Sequence, residues 1–360
     1  MYIELHYKES SVITMAQKKR VTFDDIAKYT NFSKTTISRY FNNPDSLTLE
    51  NQQIISDALV KLDYKENKVA RILASGKTEF IGIIVPNLYL RYYSEMLDQI
   101  LSTYETFGYK FLVFIGNGNE ESERRYIQEL LSYQIEGMII LSHTIPSHEL
   151  AGLSIPIVTI EREDRFVCSV NTDNYMGAVQ ATSLLARHKC DVLIHINSPT
   201  PEERPAYGRI QGFRDFCKEH HLKHQIIIED LGSTHESSQR HMNHILNQIE
   251  MDYPDQKKGI FVSSDTYANV LLNLLFRKYG TLPQDYLIIG FDNSPVSEEA
   301  IIPISTVGQQ IEKLAYEAVS MLVTQMNERK KRRPVPLKEP IHKMVTPILI
   351  RRETTEGLLE

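Results

Sequence analysis

Residues 21–42 read VTFDDIAKYTNFSKTTISRYFN, and they largely determine how the amino-terminal part of the chain folds. Thr22 and Ser33 are residue types that cap helix amino termini, and each precedes a short run with helical spacing. Ile37 and Phe41 lie four residues apart and would point into the interior. The stretch predicts two short helices joined by a tight turn over residues 29–33, which is the helix-turn-helix arrangement.

A third helix is predicted directly after this motif. Thr48 is placed to cap it. The apolar residues behind that cap share one helical face, and they are Ile54, Ile55, Ala58, Leu59 and Leu62. We therefore place a small all-α helix-turn-helix domain at residues 20–66.

The second predicted helix carries polar side chains on its outer face. Arg39 can donate two parallel hydrogen bonds to a guanine in the major groove. Thr35, Thr36 and Ser38 suit phosphate oxygens or base edges. An exposed helix face without a ligand would have a similar composition, so the motif alone leaves both interpretations open. The candidate DNA-contacting residues of this domain are Thr22, Lys34, Thr35, Thr36, Ser38, Arg39 and Asn42.

Charge is distributed unevenly along the chain. The net charge is −6, yet residues 18–77 contain 11 Lys or Arg against 7 Asp or Glu, so that segment is +4 and the remainder −10. A basic head on an acidic body favours a polyanionic partner for the head alone. Chance variation over so short a segment would also produce this balance.

From residue 80 onward, short apolar strands alternate with amphipathic helices. The predicted strands are at 80–85, 111–115, 138–141, 157–160, 192–196, 226–229, 259–262 and 287–290, and the predicted helices at 93–107, 120–133, 176–187, 207–220, 236–249 and 266–279. This alternation predicts two parallel, doubly wound α/β sheets, because the strands are too many for one compact sheet. The alternation of strands and helices is interrupted near 169–174 and 303–308, where we place crossovers between the two lobes. A cleft between such lobes is a natural site for a small molecule.

A charged segment, residues 327–336, reads NERKKRRPVP. It is either a patch for nucleic acid or a solvated surface loop. Prolines at its carboxyl-terminal end and the absence of an apolar pattern favour the loop.

The stretch 21–42 as a whole strongly resembles the head of the lactose/galactose repressor (LacI/GalR) family. That family reads Val-Thr-x-x-Asp-Val-Ala and then Gly-Val-Ser-x-x-Thr-Val-Ser-Arg-x-x-Asn. The resemblance extends over residues 20–355, through segments that follow in the family's order. These are LDYKEN at 62–67, ARILA at 70–74, IGIIVPN at 81–87, EGMII at 136–140, DN at 173–174 with Gly177, RIQGF at 209–213, IGFD at 289–292 and TPILIRRET at 346–354.

The resemblance implies a helix-turn-helix head, a hinge helix, and a two-lobed core like that of periplasmic sugar-binding proteins. It places the hinge helix and linker at 67–78, and the effector-binding and dimerisation domain at 79–355. It also implies a homodimer that binds a pseudo-palindromic operator in double-stranded DNA and responds to a small-molecule effector, which we expect to be a carbohydrate. Leu73, beside Ala70, matches the hinge leucine that wedges into the minor groove and bends DNA by unstacking a base step. A core leucine at a domain junction is the alternative for Leu73.

The chain departs from the family pattern at several positions. Asn31 replaces the turn glycine, and Asn is the residue that best tolerates the left-handed conformation after Gly. Glu66 replaces the usual Pro before the hinge, which would loosen the start of the hinge. Residues 187–189 replace the customary Gly-His. Residues 1–19 precede the motif, and we expect them to be disordered unless translation begins at Met15.

For the effector, the resemblance points to Arg209 and Asp292, whose counterparts hydrogen-bond effector hydroxyls. Arg209 can present its fork to two adjacent hydroxyls, and Asp292 can accept from two. Asp265 and Glu161 are further candidates, and a structural ion pair at a strand end is the alternative for all four. The chain has no Trp. A sugar ring would therefore stack on Tyr or Phe, and the candidates are Tyr92, Tyr93 and Phe291.

Several other functions find little support in the sequence. Three cysteines, far apart, do not form a disulfide framework, and no apolar run approaches the ~20 residues of a membrane span. No export signal is visible at the start, so we expect a cytoplasmic protein. Gly116 and Gly118 lack the third glycine of a dinucleotide loop, and the histidines near 220 and 240 lack a completed metal pattern. We expect no cofactor, metal or catalytic residue; a sugar-binding transport protein and an enzyme on the same α/β fold are the alternatives.

Overall fold

The computed structural model describes residues 21–65 and 78–356. The chain divides into two compact units, with the division between residues 77 and 78. Thr78, which the sequence analysis placed in the linker, already belongs to the second unit, because its hydroxyl donates to the backbone oxygen of Gln134. The predicted extension at 1–19, most of the predicted hinge and its contacts Ala70 and Leu73 lie outside the described residues.

The first unit is a bundle of three helices around a small apolar core. The helices are α1 (Phe23–Thr30), α2 (Lys34–Asn42) and α3 (Leu49–Lys61), with a 3₁₀ turn at Pro44–Ser46. Ile26, Ile37 and Ile55 contribute one fully buried side chain from each helix. The rings of Phe23 and Phe41 stack with their centroids 5.1 Å apart and close one side of that core.

The turn between α1 and α2 is set by Asn31. Its backbone is left-handed, with φ 57° and ψ 21°, as the replacement of a family glycine predicted. Asn adopts this conformation at lower cost than other residues with a side chain, because its short polar side chain is tolerated there. Ser33 then caps α2 by accepting from the backbone NH of Thr36 at 3.1 Å.

The second unit consists of two lobes, each built on a six-stranded sheet. The strands are β1 (Phe80–Val85), β2 (Lys110–Ile115), β3 (Gly137–Ile140), β4 (Ile157–Ile160), β5 (Cys168–Thr172), β6 (Val192–Asn197), β7 (His224–Ile228), β8 (Lys258–Val262), β9 (Tyr286–Asp292), β10 (Ser305–Gly308), β11 (His342–Val345) and β12 (Ile348–Ile350). The helices are α4 (Arg91–Ser102), α5 (Tyr104–Phe107), α6 (Glu120–Ser132), α7 (Ser147–Ala151), α8 (Asn174–Arg187), α9 (Gly208–Glu219), α10 (His235–Asp252), α11 (Asp265–Tyr279), α12 (Pro295–Glu299), α13 (Ile311–Arg329) and α14 (Glu353–Glu356), with a 3₁₀ turn at Pro205–Tyr207.

Lobe 1 has the strand order β11-β5-β4-β3-β1-β2, and lobe 2 the order β12-β10-β9-β8-β6-β7. Neighbouring strands are parallel except β10 and β12, which are antiparallel. Apolar helices cover both faces of each sheet, as the alternation of strands and helices predicted. The predicted fold class, a helical head with a two-lobed α/β domain, is confirmed.

The chain passes between the lobes three times: after β5, after β10 and between β11 and β12. The first two passages lie where the alternation of strands and helices in the sequence is interrupted, and the third was not predicted. The strands that lead into the first two were also missed, because they are polar although buried. Ser169 and Asn171 in β5 and Ser305 and Thr306 in β10 are all nearly inaccessible to solvent.

Candidate functional site

One face of α2 is polar and accessible. Thr35, Arg39 and Asn42 are exposed, Ser38 is half-buried, and Ile37 on the opposite side is fully buried. The spacing i, i+3, i+4 and i+7 places the four polar residues in one stripe along the helix. A stripe of this length matches what the major groove admits from a single helix.

Two of the predicted DNA contacts are engaged at helix amino termini. Thr22 caps α1: its hydroxyl lies 2.7 Å from the Asp25 carboxylate, which in turn accepts from the Thr22 backbone NH at 2.8 Å. The Thr36 hydroxyl lies 2.9 Å from that of the α2 cap, Ser33. Both threonines therefore shape the motif, because their hydroxyls and their backbone NH groups are all engaged within the head.

Lys34 and Asn42 also have partners within the head. The Lys34 ammonium lies 2.7 Å from a carboxylate oxygen of Asp24, in an exposed pair of the kind that contributes little to stability. The Asn42 amide donates to the backbone oxygen of Ser38 at 3.0 Å and to its hydroxyl at 3.1 Å. Both contacts are at the surface, so a phosphate or a base edge can replace them.

Thr35 and Arg39 have side chains without a partner among the residues the structure describes. Arg39 carries the guanidinium at the centre of the stripe. Its donors are therefore free to form the two parallel hydrogen bonds that distinguish guanine from the other bases.

The second candidate site lies between the carboxyl ends of the two sheets. Arg209, at the start of α9, donates from Nε to Asn174 Oδ1 at 2.7 Å and from Nη1 to the backbone oxygen of Ser263 at 2.6 Å. Its guanidinium carbon lies 3.8 Å from the ring centroid of Phe291. Two hydrogen bonds and a cation–π contact therefore fix the guanidinium in one orientation.

Glu161 directly follows β4 and lies on the lobe 1 side of this cleft. One carboxylate oxygen accepts from the backbone NH of Thr172 at 2.5 Å, and the other from Asn174 Nδ2 at 2.7 Å. Asn174 thus joins Glu161 of lobe 1 to Arg209 of lobe 2. Burial raises the pKa of Glu161, and the charge of Arg209 opposes that rise.

Asp292 ends β9 on the lobe 2 side. One of its oxygens accepts from Gln309 Nε2 at 2.6 Å, and Gln309 in turn accepts from the Thr172 hydroxyl at 2.6 Å. Burial raises the pKa of Asp292 to about 7, and Arg209 opposes the rise. Its φ of 115° lies in a region that L-residues rarely adopt, which is typical of strain held at a functional site.

Asp265 occupies a different environment from the other two carboxylates, Glu161 and Asp292. It is fully buried, and one oxygen accepts from the backbone NH of Ser294 at 2.8 Å while the other accepts from the Thr306 hydroxyl at 2.6 Å. These bonds hold the segment that follows Asp292. Asp265 remains a predicted effector contact, and its geometry suits a supporting role better than direct contact.

Tyr92 and Tyr93, at the start of α4, pack edge to face with their centroids 5.3 Å apart. Burial raises the pKa of both phenols, that of Tyr93 to about 12, and the charges of Glu161 and Asp292 act in the same direction. The Tyr92 hydroxyl is buried without a hydrogen-bond partner among the described residues. Because an unsatisfied buried hydroxyl is costly, it is suited to receive a polar group of a ligand.

Sequence reasoning missed Asn174, which joins Glu161 to Arg209, and Gln309, which joins Asp292 to Thr172. Asn174 lies in the segment DN at 173–174, which resembles the family, so the sequence did contain a signal that could have marked it as a site residue. Gln309 follows β10, which was not predicted, and its proximity to Asp292 is visible only in the fold.

The described residues contain no cluster of His, Cys, Asp and Glu suited to a metal ion. Within the same residues, no helix is long and apolar enough to span a membrane.

Comparisons with known proteins concern the fold and the class of the protein. A family of periplasmic binding protein-like domains matches residues 182–355. The ribose operon repressor of Halalkalibacterium halodurans is 26% identical over 93% of this chain and 97% of its own length. The sucrose operon repressor of Streptococcus mutans is 28% identical over 85% of this chain and 92% of its own. The Lac repressor dimer bound to operator and the anti-inducer ONPF superposes with a TM-score of 0.76 at 20% identity, covering 94% of this chain and 99% of that one.

The fold, the free Arg39 on α2 and these matches together define a class: transcription regulators that join a helix-turn-helix head to a periplasmic-binding-protein-like domain. The chain is similar over most of its length to operon repressors and to the Lac repressor, and so resembles the lactose/galactose repressor (LacI/GalR) family. The two relatives are a ribose operon repressor and a sucrose operon repressor.

Proposed function

We propose that this chain is a bacterial repressor whose affinity for an operator is controlled by a sugar or sugar derivative in the cleft. One observation carries the proposal: Asn174 links Glu161 to Arg209, so polar groups of both lobes converge at the carboxyl ends of the two sheets. A ligand in this position contacts both lobes. It shifts the protein toward whichever lobe arrangement it binds better, by its difference in affinity for the two.

The residues of the cleft favour an uncharged polyhydroxyl compound. Arg209 bonds Asn174 and Ser263 through Nε and Nη1 and keeps Nη2 as a donor for a ligand. Glu161 and Asp292 offer buried carboxylate oxygens that accept from hydroxyls. Tyr92, Tyr93 and Phe291 supply aromatic surface. A phosphate beside two buried carboxylates would be repelled, so we expect a free sugar to bind more tightly than its phosphate ester.

On the DNA side, we propose that Arg39 reads a base and that Thr35 and Lys34 contact the backbone. Arg39 is the exposed cation at the centre of the α2 stripe, whereas Lys34 lies at its first turn. Ala70 and Leu73 are proposed to contact the minor groove from the hinge. The relatives are operon repressors, which supports an operator as the ligand.

We also propose a homodimer that uses the outer strands of both lobes. β2 and β7 are edge strands, and Val113 and Ile115 of β2 are each 37% exposed and Ile228 of β7 is 45% exposed. Exposed apolar side chains on an unpaired edge strand favour association with another chain. We propose that a second copy of this chain buries them. The structural neighbour is a dimer, in agreement with this proposal.

A protein that binds bacterial operators works where the chromosome lies, so we propose that it acts in the cytoplasm. We also propose that it has no catalytic activity.

The test of the proposed function has two stages. Selection of duplexes from a random DNA pool with the full-length protein identifies the operator, with Arg39→Ala as the variant that should lose the preference at one base position in each half-site. A thermal-shift screen of sugars, sugar phosphates and nucleobases then identifies the effector, and operator titrations with and without it measure the coupling. A compound that raises the melting temperature but leaves operator affinity unchanged would contradict effector control.

A further inference from the structure

We infer that the second unit carries its own contact for the DNA backbone, in the loop between α13 and β11. This basic loop comprises residues 330–341 and includes Lys331, Arg332, Arg333 and Lys338, all exposed. The inference goes beyond the recognition helix and the hinge, because it assigns DNA contact to the effector-binding unit.

The position of the basic loop in lobe 1 is the first observation. Lys330, where the loop begins, donates to the Tyr109 hydroxyl at 3.1 Å and pairs with Glu136 at 2.6 Å. Tyr109 and Glu136 immediately precede β2 and β3, so the loop lies at the amino-terminal edge of the lobe 1 sheet. Thr78, the first described residue of the unit, bonds Gln134 at this same edge. The described part of the second unit therefore begins at the same edge of the lobe 1 sheet as the basic loop.

The balance of charge at this edge is the second observation. Lys110 pairs with Glu79, Lys330 with Glu136, and Lys331 with Glu328, and each of these pairs is neutral as a whole. Arg332 and Arg333 make no ion pair with any residue that the structure describes. Two adjacent guanidinium groups thus remain uncompensated and accessible.

The chemistry of these two residues favours phosphate. A guanidinium binds phosphate oxygens through parallel hydrogen bonds, and it does so without reading the bases. Pro334 and Pro336 follow directly and restrict the backbone, so the arginines lose less freedom on binding than they would in a flexible tail. We expect contact with the DNA that flanks the operator, which adds affinity but no sequence preference.

The opposite end of the unit offers a matched control. Arg187 ends α8 and Lys218 lies in the last turn of α9, both exposed and both near the amino-terminal ends of lobe 2 strands. The carboxyl ends of both sheets meet at the cleft. Arg187 and Lys218 are therefore at the end of the unit that is remote from the basic loop.

The experiment compares Arg332→Gln/Arg333→Gln with Arg187→Gln/Lys218→Gln in the full-length protein. Affinity is measured by fluorescence anisotropy against random-sequence duplexes of about 20 and about 50 base pairs, over a series of salt concentrations. The loop variant should bind the longer duplex more weakly, with a log–log salt slope shallower by about 1.8 per protomer engaged. Its affinity for the shorter duplex and its melting temperature should match wild type, and the control variant should match wild type throughout.

Equal salt slopes for wild type and the loop variant on the longer duplex would overturn the inference, and would leave the loop to solvent or to an acidic protein partner. An equal loss on both duplexes would also count against it, because a contact with flanking DNA is lost only where the duplex is long enough to include a flank. A wild-type protein that binds neither duplex would refute the proposed repressor function and this inference with it.

Discussion

The hydroxyl of Thr172 donates to Gln309 Oε1 over 2.6 Å, and these two residues stand at the first and second passages of the chain between the lobes. They are 137 positions apart in sequence, yet both are nearly inaccessible to solvent. Gln309 also donates to Asp292 in the cleft. The bond therefore ties the connection between the lobes to the proposed effector site.

We expect Thr172→Val to lower the free energy of unfolding by about 1–3 kcal/mol, since it leaves the amide oxygen of Gln309 buried without its donor. Thr182→Val is the matched control, because the Thr182 hydroxyl bonds only a carbonyl of its own helix, that of Ala178. Urea denaturation of both variants measures the difference. An equal decrease in the free energy of unfolding for the two variants would show that the bond between Thr172 and Gln309 stabilises the protein no more than a bond within one helix does.

Arg209→Ala should weaken effector binding by about ten- to a hundredfold, since a charge-assisted hydrogen bond contributes about 1.5–3 kcal/mol. Operator affinity without effector should stay near that of wild type. Arg209→Lys keeps the charge but loses the fork, and it should recover little of the response. Lys218→Ala, on the same helix and exposed, is the control. A full effector response in Arg209→Ala would remove this residue from the site.

Arg39→Ala should relax preference by about 1–3 kcal/mol at one base position in each half-site. Lys34→Ala, by contrast, should weaken binding to all sequences by a similar factor, because a lysine at the edge of the stripe contacts phosphate. Titration of single-base operator variants separates the two effects. If Arg39→Ala also weakens every sequence equally, Arg39 anchors the backbone instead of reading a base.

Asp292 should make stability depend on pH. Its pKa in the folded protein is about 7 against an ordinary 3.8, so between these values the folded state binds more protons than the unfolded state. The titration of Asp292 therefore makes the free energy of unfolding decrease as pH rises from about 4 to about 7. Asp292→Asn lacks this titration, so its stability relative to wild type should increase over that range. A difference that stays constant with pH would show that Asp292 is ionised throughout.

Local signals predicted the head and the sheets well. The Ser33 cap, the buried Ile37 and the left-handed Asn31 each follow from one residue and its neighbours. The strands β1 and β4 were predicted with their observed bounds, since a run of buried aliphatic residues is unambiguous. The same approach failed at β5 and β10, where buried Ser, Thr and Asn side chains are satisfied by hydrogen bonds that only the fold provides.

The site was predicted less completely than the fold. Acidic residues at strand ends were recognised as candidates, but their environments differ in ways the sequence does not reveal. Asp265 has both oxygens occupied by lobe 2 groups, whereas Asp292, at the end of the neighbouring strand, bonds a residue at a passage between the lobes. Gln309 was missed for the converse reason: nothing in its immediate sequence marks it as a partner of Asp292.

Because the chain passes between the lobes repeatedly, neither lobe is complete until late in synthesis. The first part of lobe 1 ends at Thr172, and its long helix α13 begins only at Ile311. At about 5–20 residues per second, a ribosome takes roughly 7–28 s to proceed from Thr172 to the start of that helix. During that interval the sheet lacks the cover that Leu314, Ala318 and Leu322 provide in the finished core. The nascent chain therefore has to avoid aggregation while part of this apolar core is exposed, and we expect chaperones to engage it in that period.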